Sequence, residues 1–177
     1  MGCDIHLRVE VKDSDGNWTD GNIYDSNKEA LEFYTGRNYD LFGILADVRN
    51  EHFLGPISEP RGIPDDIVEI NRDYMDDYGL HSQTWFTLQE LLVSYDKYGV
   101  TRQSGMISPE DNIKLLKYGT HPSSWCRSTS NDNWVKAEWY DSYNPLKKFV
   151  DAFKIVANMH WKTYKPNEIR VIIAFDN

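Results

Sequence analysis

Cys3-Asp4-Ile5-His6-Leu7-Arg8-Val9-Glu10-Val11 alternates without a break. Cys3, Ile5, Leu7, Val9 and Val11 fall on one side of an extended chain, and Asp4, His6, Arg8 and Glu10 on the other. The first side belongs in a core. The second sets ionisable side chains in a row, about 7 Å from each to the next. A solvated sheet surface tolerates such a row. A carboxylate, an imidazole and a guanidinium side by side are also how a binding site begins.

The stretch Ile169-Arg170-Val171-Ile172-Ile173-Ala174-Phe175 complements it. Ile169, Val171, Ile173 and Phe175 share one side, and Ile172 and Ala174 make most of the other apolar too. Such a strand is buried on both faces and central to its sheet. The expectation is an α+β fold, a single domain over residues 1–177. Its sheet is antiparallel or mixed, with the N- and C-terminal strands adjacent and helices packed mainly on one side. No repeat or domain boundary shows.

Between these strands, Asp13-Ser14-Asp15-Gly16-Asn17 reads as a hairpin turn with a short return strand at Trp18. Ser26-Asn27-Lys28-Glu29 reads as a capping box opening a helical turn through Phe33, stopped at Gly36. Leu41, Phe42, Leu45 and Val48 have helical spacing, with Asn38 placed to cap. Residues 50–64 form a loop stiffened by Pro56, Pro60 and Pro64. Pro64 suits the first position of a helix through Ile67 and Ile70 to Tyr74. His81-Ser82-Gln83-Thr84-Trp85 reads as a polar loop before the capping box Thr87-Leu88-Gln89-Glu90. An extended stretch over 99–107 precedes a helix from Ser108-Pro109 to Tyr118, and residues 120–133 form a surface loop or lid. Trp134–Tyr140 reads as a strand. Asn144-Pro145 opens the strongest amphipathic helix, which Pro166-Asn167 breaks.

Composition narrows the function classes. The chain has 177 residues, 40% hydrophobic and 27% charged, which is ordinary for a globular protein. No apolar run approaches the roughly 20 residues that span a bilayer, and Met1-Gly2-Cys3 opens no signal-peptide pattern. A cytoplasmic protein is expected. His6 stands where a myristoylation signal needs Ser or Thr. Two cysteines, Cys3 and Cys126, make no disulfide framework. A net charge of −9 argues against gripping extended nucleic acid. It leaves room for a small anion, which a few converging arginines can hold. Aromatic residues make up 14%, including 6 Trp and 11 Tyr, and many lie in polar stretches suited to stacking planar groups.

Four chemistries compete for the polar residues. A metal site would draw on Cys3, Asp4, His6, His81 and Asp176, with Asp4, His6 and His81 as its core. No dedicated ligand spacing is present, and Cys3 faces away from Asp4 and His6. No cofactor is expected, with a divalent metal as the alternative. Nucleophilic catalysis by Ser82 beside His81, or by Cys126, lacks a G-x-S-x-G elbow. Paired-histidine phosphoester cleavage is met only by His121-Pro122-Ser123. General acid–base work by His6 or His81, with Asp4 orienting, stays open. Recognition without chemistry is preferred. Arg8, Arg37, Arg49, Arg61 and Arg170 are bidentate donors, and His6, Tyr39, Tyr78, His81 and Trp85 stack and hydrogen-bond. The expected pocket comprises Asp4, His6, Arg8, Arg37, Asn38, Tyr39, Arg61, His81, Ser82 and Trp85.

The same stretches resemble a phage and prophage family whose members begin Met-Gly-Cys-Asp-Ile-His. They share an Arg-Asn-Tyr-x-Leu-Phe segment, here Arg37–Phe42, and a Pro-Arg-Gly-x-Pro loop, here Pro60–Pro64. They also share His-Ser-x-Ser/Thr-Trp, here His81–Trp85, and a last strand ending Phe-Asp-Asn, here Phe175–Asn177. The likeness does not reach residues 95–165. It implies a phage origin and a host cytoplasm but no activity. It raises, by analogy, the expectation of a protein that disarms host defence by sequestering a signalling nucleotide. The alternatives are a metal-assisted or histidine-dependent hydrolase and a protein–protein inhibitor of a host factor. Expected partners are therefore a small anion or nucleotide, a host protein, or a second copy of the chain, and no membrane.

Overall fold

A computed structural model describes residues 2–159 and 164–177. In chain order its elements are strands β1 (Ile5–Lys12), β2 (Trp18–Asp20), β3 (Ile23–Tyr24) and β4 (Ala30–Leu31), helices α1 (Tyr39–Ala46) and α2 (Glu69–Met75), strand β5 (His81–Thr87), helix α3 (Leu88–Tyr95), strand β6 (Thr101–Ile107), helix α4 (Pro109–Tyr118), strand β7 (Val135–Asp141), helix α5 (Lys147–Met159) and strand β8 (Ile169–Phe175). The fold is α+β. The chain packs as two compact units, Met1–Asp96 with Pro145–Asn177, and Lys97–Asn144. Among the described residues no helix is long and apolar enough to cross a membrane.

The first unit is built on an antiparallel sheet in the order β2-β1-β8-β5. Every residue of β8 is buried, because β1 and β5 flank it and both its faces are covered. Ile5 lies opposite Phe175, Leu7 opposite Ile173 and Val9 opposite Val171. This apolar face takes the Phe42 ring of α1 at 5.0 Å from Phe175. The helices gather mainly on this side, and α5 sets Phe149 and Phe153 against Phe33 at 5.2 and 5.1 Å. Each large side chain buried here contributes about 2 kcal/mol. On the opposite face Met75 of the short α2 and Ile67, just before it, cover Ile172 and Ala174.

Local chemistry sets the element ends. Asn38 caps α1 by accepting from the Leu41 N–H, and Asp47 closes it in a left-handed conformation. Thr87 and Glu90 form the expected capping box of α3. In the second unit Ser108 caps α4 and Gly119 ends it at φ 65°. There β6 and β7 pair throughout, and Ile107, Ala137 and Trp139 form a small core with Leu115 of α4. The 120–133 segment is irregular, as expected, and anchored: Cys126 bridges Met106 and the Trp125 ring meets Trp139 edge-on.

Three expectations are corrected. Residues 23–31 form the β3–β4 hairpin, so the helical turn expected from Ser26 through Phe33 is absent. The Asp25 carboxylate accepts from the Asn27 and Glu29 N–H groups, and Lys28 turns the chain at φ 65°. That aspartate turn outcompetes the capping box. Helix α2 starts at Glu69 rather than Pro64, because the Val68 N–H is taken by the Glu10 carboxylate at 2.8 Å. Its buried side is Asn71 and Met75, while Ile70 is 54% exposed. Residues 81–85 belong to β5, not to a loop, and occupy the free edge of β8 with a bulge between His81 and Thr84. The stretch between Met159 and the expected break at Pro166-Asn167 includes residues 160–163, which lie outside the described residues.

Candidate functional site

The outward row of β1 is Asp4, His6, Arg8, Glu10 and Lys12, and each member meets a different cover. Side-chain exposure falls from 45% at Asp4 through 23% at His6 and 12% at Arg8 to zero at Glu10. At the centre the Glu10 Oε2 atom accepts from Arg170 Nε and Nη2 at 2.9 and 2.6 Å. Its Oε1 accepts from the Val68 N–H and from Asn71 Nδ2. Asn71 passes the chain of bonds to Asn22, which accepts from the Val9 N–H. Arg170 Nη1 donates to Asp66 at 2.7 Å. The buried pair is thus fully hydrogen-bonded, the condition under which buried charges persist.

Beyond Glu10 the row ends in a cleft of about 710 Å³. The tight turn after β1 sets Trp18 opposite Lys12. The Arg170 guanidinium lies 4.2 Å from the Trp18 ring centre and 5.5 Å from that of Trp85. The proline-stiffened loop presents Arg61 over Trp85 at 4.9 Å. Gly62, at φ 72°, holds this loop to β5 by donating to the Gln83 carbonyl at 2.9 Å. Arg61 also pairs with Glu90 at 2.7 Å. Lys12 Nζ lies 5.1 Å from the Trp18 ring centre and has no carboxylate partner among the described residues.

The other end of the row is acidic. His6 Nδ1 lies 2.8 Å from Tyr74 Oη. His6 Nε2 stands 3.3 Å from Asp176 Oδ2, at ion-pair range but out of line for a good hydrogen bond. The other Asp176 oxygen accepts from the Asp4 N–H at 2.7 Å. That bond, with a smaller contribution from His6, holds the Asp176 carboxyl below its usual range. The Arg8 guanidinium sits 3.3 Å from the Tyr74 ring centre. Burial pushes the Tyr74 phenol up, and Arg8 opposes it. His6 and Tyr74 line two cavities, of about 900 and 260 Å³.

The expected pocket is therefore divided. Arg61 and Trp85 meet at the indole end, and Asp4, His6 and Arg8 lie along the acidic end. Arg37 does not join Arg61. It forks the Asp4 carboxylate, with Nη2 2.7 Å from Oδ2, and this pairing holds Asp4 below the usual carboxylate range. Asn38 is spent on capping. Tyr39 Oη accepts from the Cys3 N–H at 3.3 Å. His81 lies opposite Phe175, so it faces the apolar side, away from His6. Its Nδ1 is 3.0 Å from Ser82 Oγ, and Ser82 sits at φ 53° in the bulge. The set Asp4, His6 and His81 is not assembled for metal or for shared acid–base work. Among the described residues no group of three or more His, Cys, Asp or Glu side chains is placed to hold a metal ion.

Lys12, Trp18 and Tyr74 escaped the sequence reading as site residues. Lys12 continues the even row of β1, and the hairpin turn already implied that Trp18 faces it. Tyr74 gave no such signal, because the register of α2 depends on Glu10. Comparison with protein-family models, curated proteins and solved structures returns no match.

Proposed function

We propose that the chain holds a small anion bearing a planar ring, nucleotide-like in class, in the cleft between Trp18 and Trp85. The observation that carries this reading is local charge. On a chain of net charge −9, this cleft sets Lys12, Arg61 and Arg170 against Asp65 and Asp66, beside two indoles. The ring stacks on an indole, worth about 1–3 kcal/mol. The anion meets Lys12, whose charge-assisted hydrogen bond adds about 1.5–3 kcal/mol, and Arg61, which shares its guanidinium with Glu90. Arg170, committed to Glu10 and Asp66, acts as a fixed cation behind them.

No histidine lines this cleft among the described residues and its Asp66 carboxylate is engaged by Arg170, so the reading is capture rather than cleavage. The resemblance of Met1–His6, Arg37–Phe42, Pro60–Pro64, His81–Trp85 and Phe175–Asn177 to a phage family supports a phage origin. Capture then suits withdrawal of a host defence signal, a step resting on analogy. Isothermal titration against cyclic and ADP-ribose-type nucleotides, with inorganic phosphate as control, tests it. Heat is expected with at least one nucleotide, and intact ligand is expected on denaturing the complex. Silence across the panel removes the proposal, and a cleaved product replaces capture with catalysis.

A further inference from the structure

We infer that the acidic end of the same sheet face is an ester-cleaving site in which Tyr74 is the nucleophile, His6 its base and Asp176 the residue that positions His6. It shares no residue with the indole cleft, so it stands or falls separately from the capture reading.

The geometry couples an imidazole to a phenol by a hydrogen bond and sets a carboxylate at ion-pair range of the other ring nitrogen. The Asp4 N–H fixes one Asp176 oxygen at 2.7 Å, and the other lies 3.3 Å from His6 Nε2. A carboxylate at that nitrogen favours the tautomer with its proton there, leaving Nδ1 to accept from Tyr74 Oη at 2.8 Å. Arg8, stacked 3.3 Å from the Tyr74 ring centre, stabilises the phenolate as it forms. Glu32 Oε1, 3.7 Å from His6 Nδ1, supports the imidazolium while opposing the phenolate, which Arg8 offsets. A relay built only to pin α2 to the sheet would have no need of open space beside the phenol, yet Tyr74 borders cavities of about 900 and 260 Å³.

The walls select the substrate. Glu29, Glu32 and Asp73 outnumber Arg8 and Lys28 around the larger cavity, and Leu31 and Ile70 add apolar surface. An acidic, partly apolar groove repels phosphate esters and accepts an uncharged carboxylic ester. Tyr74 Oη attacks the carbonyl carbon while His6 Nδ1 takes its proton. The bond to the alcohol oxygen breaks, and His6 returns the proton to that oxygen. Water then attacks the acyl-tyrosine, giving a proton to His6. The carboxylic acid leaves, and Tyr74 recovers its proton. Ester and water become acid and alcohol, with no other reactant.

The probe is p-nitrophenyl acetate, followed by nitrophenol release and by peptide mass spectrometry after an acid quench. An acetyl group on Tyr74 is expected. Tyr74→Phe keeps the ring under Arg8 and abolishes the adduct, slowing release about a hundredfold. His6→Gln slows it to a similar degree. Asp176→Ala slows acylation and Asp176→Glu restores part of the rate, whereas Val93→Ala, at an exposed position of α3, leaves the rate unchanged. The inference is overturned if wild-type protein releases no more nitrophenol than buffer, if Tyr74→Phe retains the wild-type rate, or if the acetyl group maps elsewhere.

Discussion

Two ends of one sheet face, drawn from the same alternating strand, carry opposite chemistry. At Lys12 the covering loop is stiffened by Pro60 and Pro64 and brings Arg61, while the hairpin brings Trp18. At His6 the cover is α2 and the β3–β4 hairpin, which bring Tyr74, Asp73 and Glu32. The strand fixes only the spacing of its outward side chains. What packs above each one decides whether it is solvated, paired or poised. Between the ends, the Glu10–Arg170 pair holds α2 in register and separates the basic cleft from the acidic groove.

The largest test of this division breaks that pair. Arg170→Ala leaves Glu10 buried and unpaired and is expected to cost about 3–5 kcal/mol in chemical denaturation. The combined change Glu10→Leu with Arg170→Met recovers only part of that loss: no charge is stranded, but the Val68 N–H and the buried Asn71 amide lose their acceptor. A cost below about 1 kcal/mol for Arg170→Ala would mean that the ends do not hang on a common pair.

Trp18→Ala comes next. It removes the stacking surface at the basic end and is expected to weaken nucleotide binding by about 1–3 kcal/mol in titration calorimetry, with little change at His6. Charge reversal separates the ends more finely. Lys12→Glu should weaken nucleotide binding, with the difference from wild type shrinking as salt rises. Lys28→Glu, at the acidic groove, should leave that affinity unchanged; equal effects would erase the contrast.

The smallest effect is acidic. Asp176 is held below its ordinary value by the Asp4 N–H and, secondarily, by His6. A carboxyl lowered on folding stabilises fully above its unfolded value and loses that contribution as pH falls through the folded value. The loosening therefore belongs below about pH 4. Carbon-detected NMR titration should place the Asp176 midpoint under that of a free aspartate.

Much of the scaffold was legible. The alternation of residues 3–11, the two-sided apolar strand at 169–175, and the capping signals at Asn38, Thr87 and Ser108 depend on local chemistry that one sequence displays. The site was legible only in pieces. Arg61, Trp85 and His6 announced themselves by residue type and setting. Their division into two ends depended on which segment packs above each position of β1, and His81 left that face through the bulge at Ser82. The register of α2, and so the arrival of Tyr74 at His6, depended on a hydrogen bond from Val68 to Glu10 across 58 positions. Arg37 failed as a pocket residue because Asp4, its partner, lay 33 residues away. Pairings at such separations leave no local mark.

The kink at Ser82 makes β5 a poor template for a foreign strand. A flat outer strand with an unbroken run of unpaired N–H and C=O groups recruits other chains into fibres. Here the left-handed residue interrupts the run near its start, and the Gly62 N–H already occupies the Gln83 carbonyl beside it. Crowded expression should therefore not drive polymerisation through this border of the sheet.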